Sequence, residues 1–229
     1  MALYAIGDLH LSLGADKPMD VFGGPWENYV EKIKLGFSSL HADDVCVLCG
    51  DLAWGMTMEQ ALPDFQFIEA LPGKKILLKG NHDFWWSTAK KAYDFFEAHD
   101  MHTMDILNNN CYFYGDYAIC GTRGWFYEEA KGEAHDRKIM LREVGRLETS
   151  LKAAGDKTKL VFLHYPPKYL GYECPEILEL LDAYHVPLCC YGHIHSRGCR
   201  SAFQGIYHDT EFRLLSADYI SFCPRRILP

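Results

Sequence analysis

Short, continuously apolar runs recur along the chain, each ended by glycine or polar residues: Leu3–Ile6, Val45–Cys49, Ile76–Leu78, Leu160–Leu163 and Pro187–Tyr191. Unbroken apolarity over so few residues marks strands buried on both faces. Between them the spacing turns helical. Trp26, Val30, Ile33, Phe37 and Leu40 fall on one helical face. Further helices are predicted over Met58–Ala70, where Pro72-Gly73 stops the pattern, and over Trp86–His99, His135–Ala154 and Pro175–Tyr184. Met140, Val144, Leu147 and Leu151 form the apolar stripe of the fourth helix. Three strand–helix alternations in the first hundred residues predict a parallel sheet covered by helices. Between Met104 and Trp125 the rhythm changes. Asn108–Asn110 and Gly115-Asp116 bracket Cys111–Tyr114 and separate it from Tyr117–Cys120, which predicts an antiparallel hairpin. Strand-like pieces follow near Ala202–Tyr207 and Phe212–Leu215. No repeat, low-complexity stretch or linker interrupts the pattern, so residues 1–229 read as one domain without a separate cap domain.

Composition changes this picture little. With 229 residues, 48% hydrophobic and 24% charged, the chain has ordinary globular values and can bury a sizeable core. The net charge of −8 disfavours anionic membranes and long nucleic acid. It leaves a phosphate substrate open, because bound cations reverse the sign inside a site. The nine cysteines form no Cys-x-x-Cys pair, and Cys46, Cys49, Cys120, Cys189 and Cys190 sit in apolar runs, which predicts reduced, buried thiols. Met1–Ile6 lacks the basic start and long apolar core of a secretory leader, and no apolar run reaches membrane-spanning length. A cytoplasmic location is expected.

The chemistry stands where the strands end. Asp8 and His10 follow the first, Asp51 the second, Gly80-Asn81-His82-Asp83 the third, His164 the fourth and His193/His195 the fifth. In open α/β sheets, ligands bind outside the carboxyl ends of strands. Asp8 and His10, two apart on an extended segment, would point the same way. Asp8, His10, Asp51, Asn81, His164, His193 and His195 supply carboxylate, imidazole and amide groups without thiolate, a set that suits Mn, Fe or Zn. Seven ligands exceed one tetrahedral ion. They serve two ions if one carboxylate bridges them, and paired ions about 3.5–4 Å apart are a recurring device for displacement at phosphorus. Singly each block is weak: Asp-x-His often caps turns, Asp after a strand is a common cap, and His164 could be a core histidine. The ordered set of five is what carries the reading.

In that ordered set the sequence resembles the calcineurin-like metallophosphoesterases, over Asp8 to His195. The resemblance implies an α/β fold, a four-layer α/β/β/α sandwich of two mixed sheets, with a dinuclear centre of divalent or trivalent transition-metal ions. It implies Asp8, His10 and His195 on one ion, Asn81, His164 and His193 on the other, and Asp51 bridging. It also implies His82 as proton donor to the leaving group, with Asp83 as its hydrogen-bond partner. The implied reaction is hydrolysis of a small phosphomonoester or phosphodiester, with a metal-bound hydroxide as nucleophile. The alternative is a catalytically weak or inactive metal-binding scaffold of the same fold, which the presence of His82 and all seven ligands disfavours. A metallo-β-lactamase-like site would need a His-x-His-x-Asp-His cluster, and none occurs. Arg123 has two readings, a substrate-phosphate contact or a structural ion pair. Trp54, Trp85 and Trp86 follow motif blocks and are expected in core or rim packing more than in a pocket. Lys168 reads as a solvated lysine more than as an aid to phosphate binding, and Glu128 to Glu133 as a solvated loop or helix start. His41, His99, His102, His135, His185 and His208 belong to no block.

Overall fold

The computed structural model describes residues 1–126 and 133–229. The chain divides into two compact units, one of Met1–Ile106 with Leu215–Pro229, the other of Leu107–Leu214. In the first unit β1 (Leu3–Ile6), β2 (Val45–Leu48), β3 (Lys74–Leu77) and β4 (Met104–Ile106) run parallel side by side. The C-terminal β13 (Arg225–Leu228) adds antiparallel to the β1 edge, giving a mixed five-stranded sheet. The apolar runs at β1 to β3 are therefore the buried strands the pattern predicts. β13 escapes that pattern because an edge strand bearing Arg225 and Arg226 keeps both side chains exposed.

The helices of this unit are α1 (Tyr29–Phe37), α2 (Leu62–Ala70) and α3 (Ala89–Ala98), each beginning three or four residues later than the apolar spacing predicts. Local chemistry fixes their ends. Thr88 caps α3 by accepting from the Lys91 backbone N–H at 3.2 Å. Fully buried Lys75 donates to the carbonyls of Glu69, Leu71 and Gly73 at 3.2, 2.8 and 2.9 Å, supplying donors where α2 stops. Tyr29, Ile33, Phe37, Phe65, Ile68, Trp85 and Phe96 fill the core against the sheet. Gly36 on α1 is obligatory for close packing, because a Cβ there would lie 2.1 Å from the Phe222 carbonyl oxygen.

The second unit holds a mixed six-stranded sheet ordered β11-β12-β10-β7-β6-β5. β5 (Tyr112–Tyr114) and β6 (Tyr117–Thr122) form the expected antiparallel hairpin. β7 (Thr158–Leu163) and β10 (Leu188–Tyr191) are the central parallel strands, followed by β12 (Thr210–Leu214), with β11 (Gly205–Tyr207) antiparallel at the edge. A small ribbon, β8 (Lys168–Tyr169) with β9 (Tyr172–Glu173), lies before α5 (Pro175–Ala183). The long helix α4 (Glu133–Ala153) buries Leu147 and Leu151 as its stripe requires. It also buries Glu143 and Ser150, which bond to β6 among other partners: Thr122 Oγ1 donates to Glu143 at 2.5 Å, and the Gly121 N–H donates to Ser150 Oγ at 3.0 Å. The Glu128–Glu133 stretch lies outside the described residues, apart from the backbone of Glu133. Among the described residues no helix is long and apolar enough to cross a membrane.

Candidate functional site

In the first unit the β1, β2 and β3 ladders continue past the strands as interlocked turns. Asp8 N–H donates to the Gly50 carbonyl and His10 N–H to the Asp51 carbonyl, both at 2.9 Å. The segment carrying Asp8 and His10 is not extended, contrary to the alternation expected from sequence. Asp8, His10 and Asp51 all have left-handed backbones, with φ of 60°, 47° and 52°. Such conformations are uncommon for residues with a Cβ and persist where surrounding structure over-determines them. All three side chains are buried. His10 Nε2 and Asp51 Oδ2 lie 3.8 Å apart, beyond hydrogen-bond range but within the span of two ligands each about 2.1 Å from one cation.

The Gly80–Asp83 turn closes this arrangement. Gly80 must be glycine: a Cβ would sit 2.1 Å from Asp51 Oδ1. The His82 backbone N–H donates to that same Oδ1 at 2.7 Å. Half-buried Asn81 lies between them in sequence. The Trp54 indole packs against both imidazoles, with ring centroids 5.1 Å from His10 and 4.5 Å from His82, and Lys17 Nζ stands 4.7 Å from its centre.

Asp83 differs from expectation. Its fully buried carboxylate accepts five N–H groups: Leu52 N, Ala53 N and Trp85 Nε1 on Oδ1 at 2.8, 3.3 and 3.0 Å, and Asp51 N and Gly80 N on Oδ2 at 2.9 and 2.7 Å. The expected bond to the His82 imidazole is replaced by a clamp between the turns after β2 and β3. A carboxylate offers about four lone-pair directions, so five donors saturate it. Burial and the neighbouring Asp51 charge raise its pKa against the pull of the N–H donors, and five donors with no acceptor beside them call for the carboxylate form. Buried Trp85 is thus a donor to Asp83, and half-buried Trp86 packs on Trp85 at 5.6 Å.

In the second unit His164 follows β7 and is fully buried. Its N–H and that of Tyr165 both donate to the Arg123 carbonyl, and its own carbonyl accepts the Gly192 N–H at 3.1 Å. These bonds join the ends of β6, β7 and β10. The His164 and His193 rings lie 5.1 Å apart, and Tyr165 packs on His193 at 4.5 Å. His193 has φ of 71°, a fourth left-handed candidate ligand. Ile194 is buried between half-buried His193 and His195. Arg123 has partners inside the unit: Glu143 Oε1 at 3.5 Å, the Trp125 ring at 5.2 Å and the Tyr165 ring at 6.0 Å. The same Glu143 oxygen takes a closer bond, 2.6 Å, from Arg146. Lys168 is not a free solvated lysine; it pairs with Glu173 and lies 4.6 Å from the Tyr207 ring centre.

Candidate metal-ligating side chains therefore stand in both units. The family model of the calcineurin-like phosphoesterases matches residues 1–197, a span containing every one of them. The chain belongs to that family. Its members typically bind divalent metal ions, and buried carboxylates and imidazoles held on strained backbone are donors of the right chemistry. A comparison with curated proteins finds no match. Among solved structures the fold is similar to that of a protein of unknown function from Aquifex aeolicus, with 16% identity over 98% of this chain and 95% of that one and a TM-score of 0.54. It is similar to a protein from Thermus thermophilus, with 15% identity, coverage of 99% and 97% and a TM-score of 0.60. It is also similar to a phosphopantetheinyl hydrolase from Mycobacterium tuberculosis, with 14% identity, coverage of 100% and 96% and a TM-score of 0.58. At such identities the likeness speaks to the fold, two mixed sheets with helices, which is the fold expected for the family.

Proposed function

We propose that the chain is a metal-dependent hydrolase of small phosphomonoesters or phosphodiesters, and that both units serve one catalytic domain. The observation that carries the reading is the family match across all five strand-end blocks. In this reading Asp8, His10 and His195 would hold one ion and Asn81, His164 and His193 the other, with Asp51 available to both. Such ions, Mn, Fe or Zn, would when bound neutralise charge at phosphate oxygens and acidify water.

The remaining work belongs to side chains. His82 delivers a proton from its imidazole to the departing oxygen, a contribution of roughly 10²–10⁴-fold. The His82 backbone N–H bond to Asp51 fixes the turn that carries the imidazole, and the Trp54 ring packs on that imidazole at 4.5 Å. Asp83 acts through the backbone, holding the turns that carry Asp51 and His82. Arg123 either contacts substrate phosphate or, as its partners favour, positions His164 through its carbonyl.

The test is hydrolysis of p-nitrophenyl phosphate and its bis-ester by protein loaded with Mn²⁺, with elemental analysis of the metal. A phosphopantetheinyl ester joins the panel because one structure of similar fold carries that name. No turnover of any ester at full metal occupancy would favour the scaffold alternative and end the enzyme reading. His82→Ala should keep the metals and lose most of the rate.

A further inference from the structure

Inside the second unit, away from the strand-end histidines, a cavity of about 330 Å³ opens between α4 and the segment leading into α5. Trp125, Asp136, Arg137, Met140, Tyr172 and Glu176 are among its lining residues. Asp136 is only 2% exposed, yet among the described residues neither carboxylate oxygen has a hydrogen-bond partner. Trp125 is 4% exposed, and its Nε1–H is likewise unpartnered. The Trp125 carbonyl, by contrast, is satisfied by the Tyr172 hydroxyl at 3.1 Å, so the indole is anchored and only its donor is open. A buried carboxylate and a buried N–H without partners are each costly, which makes such a pair in one cavity informative.

The two groups ask for opposite things from an occupant. Asp136 needs a compensating positive charge. Trp125 Nε1 needs an acceptor. Among the described lining residues three carboxylates, Asp136, Glu173 and Glu176, stand with one guanidinium, Arg137; Lys168 pairs with Glu173, and Arg123 lies 5.2 Å from the Trp125 ring centre. The Tyr172 ring gives a π face suited to an alkylammonium group, as does the face of Trp125 turned away from Arg123. A metal ion fits poorly: among the described residues Asp136 belongs to no group of three or more candidate ligands. Phe126 stands between this cavity and the histidines, 4.6 Å from Tyr172 and 6.2 Å from His193.

We propose that this cavity binds a small organic cation carrying an alkylammonium group, received by Asp136, and an oxygen acceptor, received by Trp125 Nε1. The site stands on its own geometry and does not depend on the phosphoesterase reading. Titration calorimetry on the full chain tests it with choline and its neutral isostere 3,3-dimethylbutan-1-ol, which share shape and hydroxyl and differ in charge. Choline should bind saturably, and the isostere at least about tenfold more weakly, a difference of about 1.4 kcal/mol. Asp136→Asn should weaken choline binding by at least about tenfold while leaving the isostere unchanged. Trp125→Phe should weaken both ligands. Equal affinity for the two probes, absence of saturable choline binding, or full choline affinity in folded Asp136→Asn would overturn the proposal. The probe comparison on the parent chain decides the matter even if a variant fails to fold.

Discussion

Asp83→Asn separates two ways in which the Gly80–Asp83 turn could work. In the parent, Oδ1 takes three N–H donors and Oδ2 takes two, all between 2.7 and 3.3 Å. The amide of Asn can place its oxygen on only one side. In the better orientation it keeps Leu52, Ala53 and Trp85 and turns an NH₂ toward the N–H groups of Asp51 and Gly80. Two charge-assisted hydrogen bonds are lost, each worth about 1.5–3 kcal/mol, giving an expected loss of roughly 3–6 kcal/mol. That is a large share of the roughly 5–15 kcal/mol that holds a typical domain together. Equilibrium urea unfolding followed by tryptophan fluorescence measures it, and His82→Ala is the companion. Removing the half-buried His82 ring should cost only about 1 kcal/mol, mostly its packing on Trp54, while lowering turnover by roughly 10²–10⁴-fold. If Asp83→Asn were within about 1 kcal/mol of the parent yet shifted the pH profile of turnover, Asp83 would be a partner of the imidazole and the clamp would be wrong.

Asp64, fully buried at the start of α2, gives a pH-dependent prediction: burial pushes its carboxyl up to about 6, opposed by the Leu13 N–H at 2.7 Å. The folded chain then holds a proton that the unfolded chain releases near pH 4, so this group's contribution to stability falls as pH rises from about 4 to 6. Asp64→Asn keeps the acceptor for Leu13 and should raise stability by about 1–3 kcal/mol at pH 7.5, with no gain at pH 3.5; equal melting shifts at both pH values would refute it. Gly80→Ala should displace Asp51 and cut both metal content and turnover, and a variant with parental melting temperature and activity would show that the 2.1 Å approach relaxes freely. Ser150→Ala strips the Gly121 N–H of its acceptor and the Asn110 carbonyl of its 2.6 Å donor, an expected cost of about 1–2 kcal/mol in urea unfolding.

What sequence could and could not reveal follows from the range of the interactions involved. The strands were legible because burial on both faces leaves a local signature, a continuous apolar run. The polar blocks at the strand ends are legible because each sits within a few residues of such a run. β13 was not, since an edge strand with Arg225 and Arg226 exposed needs no apolar pattern; its pairing with β1 is set by a partner more than two hundred positions away. Glu143, Ser150 and Asp136 carry no local signal for a related reason. They occupy the buried side of α4 beside the apolar stripe, and the stripe alone says nothing of Thr122 or Gly121, which satisfy the first two. Asp83 is the instructive case. Adjacency to His82 in sequence suggested a bond between their side chains, but consecutive side chains rarely face each other. The carboxylate instead reaches donors at positions 51 to 53, about thirty residues back, where the backbone of Asp51 is itself left-handed. The contacts of Asp83 are thus decided by backbone N–H groups that any sequence would present.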